Sequence, residues 1–198
     1  MPGVGGGAGS AELLNRGRRL EIATLGWNVV GVAVLAVAAA AARSVALAGF
    51  GLDSLIEIGA STVVLWELSG VAEERRRRSL RLIGAAFIGL AIYLAIQSTF
   101  VLVVAYRPHH SPLGILWTAL TAGVMFALAS GKARTGASLK NPVLVAEGRI
   151  TLIDGILATA VLAGLLANAA LGWWWADPAD GYVLLYYAIR EAASSLRS

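Results

Sequence analysis

The chain has 198 residues, of which 58% are hydrophobic and 14% are charged, and it contains no cysteine. Soluble domains are closer to half apolar and a quarter charged, so this composition argues against a soluble enzyme, a disordered tail and a disulfide-stapled secreted module. The lack of cysteine also argues against sites built on thiolate ligands. In so apolar a chain, the formal net charge of +4 is more typical of membrane orientation than of nucleic-acid binding.

In chain order, the first predicted element is a Gly-rich and basic segment over residues 1–19, interpreted as a flexible tail and not as a cleaved signal peptide. Residues 20–198 are predicted to form one transmembrane domain without a soluble C-terminal domain. The sixth span is weak by hydropathy and reaches sufficient length if it begins at Pro178 and runs past Glu191. Apolar runs predict the first five spans at 22–42, 44–66, 82–106, 111–131 and 143–170.

Basic residues are distributed unevenly among the predicted loops. Thirteen fall on one side of a six-span arrangement, and two (Arg43 and Arg107) fall on the other. By the positive-inside rule both termini are cytoplasmic, which requires an even number of spans. We therefore expect an all-α bundle of six transmembrane helices in the cell membrane, which is the cytoplasmic membrane if the source is bacterial. The thirteen are Arg16, Arg18, Arg19, Arg75, Arg76, Arg77, Arg78, Arg81, Lys132, Arg134, Lys140, Arg190 and Arg197.

Acidic residues inside the predicted spans are the strongest functional signal, because a carboxylate at mid-bilayer is costly and normally faces the bundle interior. Asp53 and Glu57 are one turn apart on span two and share a face. Asp154 on span five falls at a comparable depth, and Glu147 lies two turns before it on roughly the same face. We predict that Asp53, Glu57 and Asp154 converge on one metal site, with Glu147 as a fourth candidate ligand.

Clustered carboxylates repel one another unless a cation or protons neutralise them. A site that alternates between these two states is a metal/proton exchanger. Oxygen ligands suit manganese, ferrous iron, cobalt or magnesium, and zinc also accepts carboxylates. The alternative interpretation is that these side chains are protonated residues that pack helices together.

Two segments resemble transmembrane helices of the cation diffusion facilitator family. Residues 44–57, SVALAGFGLDSLIE, are similar to the second helix of that family, with Asp53 and Glu57 at its two metal-ligand positions. Residues 146–154, AEGRITLID, are similar to the fifth helix, where Asp154 matches one ligand and Ile150 stands in place of a histidine. Residues 49–54 and 172–178 further resemble a short subgroup of the family that lacks the cytoplasmic C-terminal domain.

The resemblance implies a transporter that exports a divalent cation in exchange for protons and forms a homodimer through transmembrane contacts. It does not distinguish zinc, manganese, iron and cobalt. With Ile150 at one ligand position, Glu147 or water is expected to complete the coordination. We expect no enzyme activity, no cofactor apart from the transported ion, and no nucleic-acid partner. The alternatives are a non-transporting membrane adaptor or partner subunit of the same fold, and a proton-coupled exporter of small organic cations.

Overall fold

Helices account for almost all of the residues that the structure describes. The structure is a computed structural model, and it describes residues 5–67 and 73–197. Within these residues there are α-helices and no strands, which confirms the predicted all-α class. The six helices are α1 (Gly5–Ala42), α2 (Val45–Glu67), α3 (Glu73–Val104), α4 (Pro112–Leu139), α5 (Pro142–Leu171) and α6 (Ala176–Arg197).

The first helix begins earlier than the sequence analysis predicts. Residues 5–19, expected to form a flexible tail, are the first turns of α1, while residues 1–4 lie outside the described part of the chain. Alanine, leucine, arginine and one glutamate make up eight of these fifteen residues and favour a helix, while five are glycines. Gly17 also lets α1 approach α5, because a Cβ at this position would lie 3.0 Å from Leu144 Cδ2.

The fourth helix extends two turns beyond its predicted end at Gly131. Ser111 caps its start by accepting a hydrogen bond from the Gly114 N–H at 3.1 Å. Its end is a tight turn in which Lys140 adopts a left-handed conformation with φ of 53°. Asn141 then caps the start of α5, since its Oδ1 accepts a hydrogen bond from the Leu144 N–H at 3.2 Å.

The longer helices change the position of several basic residues that the sequence analysis assigns to loops. Lys132 and Arg134 lie within α4, and Lys132 is fully buried, so it is not a loop charge. The arginine run 75–78 lies in the first turns of α3. The side chains of that run are outside the described part of the chain.

The exterior of the described bundle is apolar, and part of its interior is charged. Val103 is 79% exposed and Leu82 is 65% exposed, whereas Lys132 is fully buried. This distribution suits a lipid surrounding better than water. The chain is therefore compatible with a multi-pass membrane protein. In the described residues four segments are long and apolar enough to cross a membrane: Ala11–Ala42, Gly84–Val104, Pro112–Leu139 and Glu147–Leu171.

The second helix lies at the centre of the bundle. It packs against α1, α3, α5 and α6, while α4 packs against α1 and α5. Apolar side chains fill the surrounding space, among them the fully buried Leu47 of α2 and Leu94 of α3. Gly49 brings α2 close to α3, because a Cβ at this position would lie 2.5 Å from Leu94 Cδ2. A polar side chain on the inner side of α2 is therefore surrounded by other helices.

Candidate metal centre

Two acidic residues lie on the inner side of α2 at the predicted spacing of one turn. Asp53 and Glu57 are both buried, with exposed fractions of 2% and 8%. Side chains four positions apart in an α-helix lie on the same face. Because α2 is enclosed by four other helices, both carboxyl groups lie inside the bundle and not on its apolar exterior.

The Asp154 carboxyl group of α5 completes a cluster of three. Asp154 is 4% exposed. One carboxylate oxygen from each of Asp53, Glu57 and Asp154 lies within 4.8 Å of the other two. The neighbouring Gly155 leaves room for the ring of Phe126 on α4, since a Cβ there would lie 2.9 Å from Phe126 Cε1. The structure thus brings together three of the four residues that the sequence predicts as metal ligands.

The oxygen atoms of this cluster have capacity for a ligand. Asp53 Oδ1, Glu57 Oε1 and Asp154 Oδ1 are buried and have no hydrogen-bond partner among the described residues. Most buried polar atoms in proteins are paired, so three unpaired oxygens at one place call for an explanation. Their chemistry fits manganese, ferrous iron, cobalt or zinc, because each of these cations accepts carboxylate oxygen.

A hydrogen bond from α1 orients one of the three carboxyl groups. The Asn28 Nδ2–H donates to Glu57 Oε2 at 3.0 Å, and Asn28 is itself buried. This bond occupies the second oxygen of Glu57 and leaves Oε1 for the cluster. Hydrogen bonds of this kind fix the orientation of a ligand side chain and raise the affinity of a metal site.

Glu147, the fourth predicted ligand, belongs to a different cluster. The Lys132 Nζ of α4 lies 3.4 Å from Glu147 Oε2 and 3.0 Å from Glu21 Oε2 of α1. Glu147 is two turns from Asp154 along α5, and its carboxylate is paired with an ammonium group. The structure therefore does not place Glu147 with the other three carboxylates.

Lys132 and Glu21 are functional candidates that the sequence analysis missed. It assigns Lys132 to a loop because the apolar run ends at Gly131, and it places Glu21 outside the first span. A periodic signal was available, since Glu21 precedes Asn28 by the same two turns that separate Glu147 from Asp154. This spacing predicts a contact between the two helices only if α1 and α5 are known to face a common interior.

Asp177 of α6 binds the beginning of α2, the helix that carries Asp53 and Glu57. The Val45 N–H donates to Asp177 Oδ2 at 2.9 Å, and the Ser44 Oγ–H donates to Asp177 Oδ1. Unpaired N–H groups and the helix dipole favour a carboxylate at a helix N-terminus. Asp177, in the first turn of α6, therefore holds the start of α2 against α6. The sequence analysis uses residues 172–178 as a family motif and Pro178 as the start of the sixth span, and it predicts no contact of Asp177 with α2.

Comparisons with known proteins do not assign the chain to a family. No protein-family model matches it, and no curated protein matches it. The resemblance to cation diffusion facilitators therefore rests on the residues of the motifs at 44–57, 146–154 and 172–178, and membership of that family stays a prediction.

Proposed function

We propose that this chain is a divalent metal cation transporter that exchanges the ion for protons across the cell membrane. The observation that supports this best is the meeting of Asp53, Glu57 and Asp154 inside a bundle with an apolar exterior. Ionisable groups in the interior of membrane proteins are costly, and they commonly serve ion or proton pathways. The motif resemblance points to the same activity.

The proposal includes six membrane spans with both termini on the cytoplasmic side. Four candidate spans lie in α1, α3, α4 and α5, and the other two helices pack among them. α2 has 23 residues and α6 has 22, which is sufficient to cross roughly 30 Å of hydrocarbon. The excess of basic residues on the face that carries both termini assigns that face to the cytoplasm.

The charge of the cluster gives a reason for metal and protons to compete. Three ionised carboxylates repel one another strongly in a medium of low dielectric constant. A divalent cation reduces the charge of the cluster to a single negative charge, and uptake of about two protons does the same. Exchanging one for the other therefore leaves the buried charge unchanged, which lowers the cost of moving between the two states.

The ligands come from two helices, and this division suits a transport cycle. Asp53 and Glu57 of α2 and Asp154 of α5 bind the ion directly, and Asn28 of α1 orients Glu57. Rocking of α5 relative to α2 exposes the ion to one side of the membrane and then to the other. Protons that arrive from outside replace the ion in the outward-facing state, and a new ion from the cytoplasm replaces the protons. The homodimer implied by the resemblance is a further part of this proposal.

Metal titration of the purified full-length protein tests the site. Calorimetry with Mn²⁺ and Zn²⁺ in detergent is expected to show binding to the wild type and none to the Asp53→Asn/Glu57→Gln/Asp154→Asn variant. Glu12→Gln is the control, because Glu12 is an exposed acidic residue of α1. Glu147→Gln is expected to retain affinity within a few fold, since Lys132 pairs with this carboxylate. Equal binding by the triple variant and the wild type would contradict the proposal.

A further inference from the structure

A fully buried lysine lies between two buried carboxylates on different helices. Lys132 and Glu21 have no solvent-exposed area, and Glu147 is 7% exposed. The ammonium group bridges α1 and α5 through contacts of 3.0 Å to Glu21 Oε2 and 3.4 Å to Glu147 Oε2. Glu21 Oε1 is buried without a hydrogen-bond partner in the described part of the chain. A purely structural ion pair would be expected to satisfy this atom as well.

This ion-paired layer lies directly beside the metal cluster along the bundle. Glu21 is two turns before Asn28 on α1, and Glu147 is two turns before Asp154 on α5, a distance of about 10 Å in each helix. In one layer Lys132 is paired with both Glu21 and Glu147. In the other layer Glu57 accepts a hydrogen bond from Asn28 and belongs to the same cluster as Asp154. The two layers are therefore stacked, and α1 and α5 run in the same direction between them.

Buried hydroxyl groups occupy the space between the layers. Thr24 of α1 is 3% exposed and Thr151 of α5 is 1% exposed. Their hydroxyl groups donate to the carbonyl oxygens of Leu20 at 3.0 Å and Glu147 at 2.9 Å. Each hydroxyl oxygen keeps lone pairs that accept from water or bind a cation. In the described chain both α1 and α5 pack against α2 and α4. Their buried polar side chains follow one another along the bundle from the ion-paired layer to the metal cluster, and we call this series the polar seam.

A cavity lies at the end of this seam that is farther from the metal cluster, one turn before the ion-paired layer. Its volume is about 260 Å³, and it lies between the beginning of α1 and the turn that joins α4 to α5. Gly17, one turn before Glu21, and Leu144, one turn before Glu147, are among its lining residues. The cavity, the ion-paired layer, the two threonines and the metal cluster thus follow one another along the bundle.

We propose that this seam is the cytoplasmic route of the cation to the acidic cluster and that Lys132 is a tethered cation that closes it. This inference rests on the proposed function and adds to it a gate, in which the positively charged Lys132 ammonium group occupies the position between Glu21 and Glu147 that an entering cation would take. The Lys132 ammonium group balances one of two carboxylates, and a divalent ion competes for both because it carries twice the charge. The four-carbon stem of lysine lets the ammonium group withdraw without a change in the helices.

Cysteine labelling tests the gate directly, because the natural chain contains no cysteine. Thr151→Cys places one thiol between the two layers. It is made in two backgrounds, the wild type and the double variant Glu21→Gln/Lys132→Met. The double variant loses one negative and one positive charge, so the ion-paired layer keeps its net charge. In lipid nanodiscs, a cationic methanethiosulfonate is expected to label the thiol at position 151 at least tenfold faster in the double-variant background than in the wild-type background. Intact-mass spectrometry measures the labelling rate.

Two comparisons distinguish a cation route from a loosened protein. The cationic reagent is expected to label at least tenfold faster than an anionic methanethiosulfonate of similar size. Ala158→Cys is the control position, because Ala158 is a fully buried α5 residue one turn beyond Asp154. Lys132→Arg, which keeps the positive charge, is expected to keep labelling of the thiol at 151 slow.

Equal labelling rates of Thr151→Cys in the two backgrounds would overturn the gate. Equal rates with cationic and anionic reagents would overturn the cation route, and faster labelling at 158 would show general loosening and overturn both. The labelling does not depend on metal binding. Loss of metal binding with this labelling pattern intact would therefore contradict the proposed function alone, while metal binding without the pattern would contradict only the gate.

Discussion

Single side chains set the geometry of the acidic cluster, and Asn28 touches it from a third helix. The hydrogen bond from Asn28 Nδ2 to Glu57 Oε2 holds this carboxylate in place. Asn28→Leu is expected to lower the affinity for Mn²⁺ about tenfold, because a ligand that loses its orienting bond binds metal more weakly. Metal titration of the purified protein measures this change.

Asn168→Leu is the matched control for Asn28. Asn168 is also buried, and its Nδ2–H donates to the Pro108 carbonyl oxygen at 3.2 Å. It lies about 20 Å beyond Asp154 along α5, so its removal is expected to leave metal affinity unchanged. An equal loss in both variants would show that Asn28 acts through overall stability and not on Glu57.

The sequence predicts the three clustered carboxylates better than it predicts their surroundings. Asp53 and Glu57 share a face by helical periodicity, and Asp154 lies at a matching depth if the spans alternate in direction. The pairing of Lys132 with Glu21 joins residues that are 111 positions apart. No local sequence pattern encodes this contact. From the sequence alone, Lys132 is therefore predicted as a loop residue and Glu147 as a metal ligand, and only the packing of the helices shows their pairing.

At the scale of whole helices, the most extensive packing in the described chain is between α4 and α5. A Cβ at Gly136 would lie 2.8 Å from the backbone nitrogen of Val145, which cannot move aside as a side chain can. Gly136→Ala is therefore expected to destabilise the protein by about 1–3 kcal/mol, measured by thermal unfolding in detergent. Gly123→Ala on the same helix is the control, because nothing lies within 4 Å of a Cβ there.

Gly123→Ala is expected to leave stability unchanged or to raise it by less than about 1 kcal/mol, since alanine is the better helix former. A Gly136→Ala variant as stable as the Gly123→Ala variant would contradict the described approach of the two helices.

Most helices are predictable from apolar runs, and the errors lie where a helix continues through polar or Gly-rich residues. The predicted fourth span stops at Gly131 because Lys132 and Arg134 lower the hydropathy, yet α4 continues to Leu139. Lys132 is buried there because its ammonium group is paired with Glu21 and Glu147, contacts that hydropathy does not register. The predicted tail at 5–19 has a different cause, since its glycines and arginines suggest a loop although the segment continues α1, which packs against Leu144 at Gly17.

At the scale of the whole molecule, cysteine labelling distinguishes the proposed six membrane-spanning helices from an arrangement with only the four candidate spans. Single cysteines at Glu12, Arg107 and Lys140 are expected to react with an impermeant maleimide from the cytoplasmic, external and cytoplasmic faces, respectively. All three side chains are exposed. If α2 and α6 did not cross the membrane, positions 12 and 107 would instead be labelled from the same face.

Metal-driven proton movement in proteoliposomes tests the central claim most directly. With a pH-sensitive dye inside the vesicles, external Mn²⁺ or Zn²⁺ is expected to raise the internal pH through the wild-type protein, because each ion that enters releases protons outward. Asp53→Ala is expected to abolish this change, and Glu12→Gln, on the exposed side of α1, to preserve it. A metal-dependent rise in internal pH of the same size with Asp53→Ala would contradict the account.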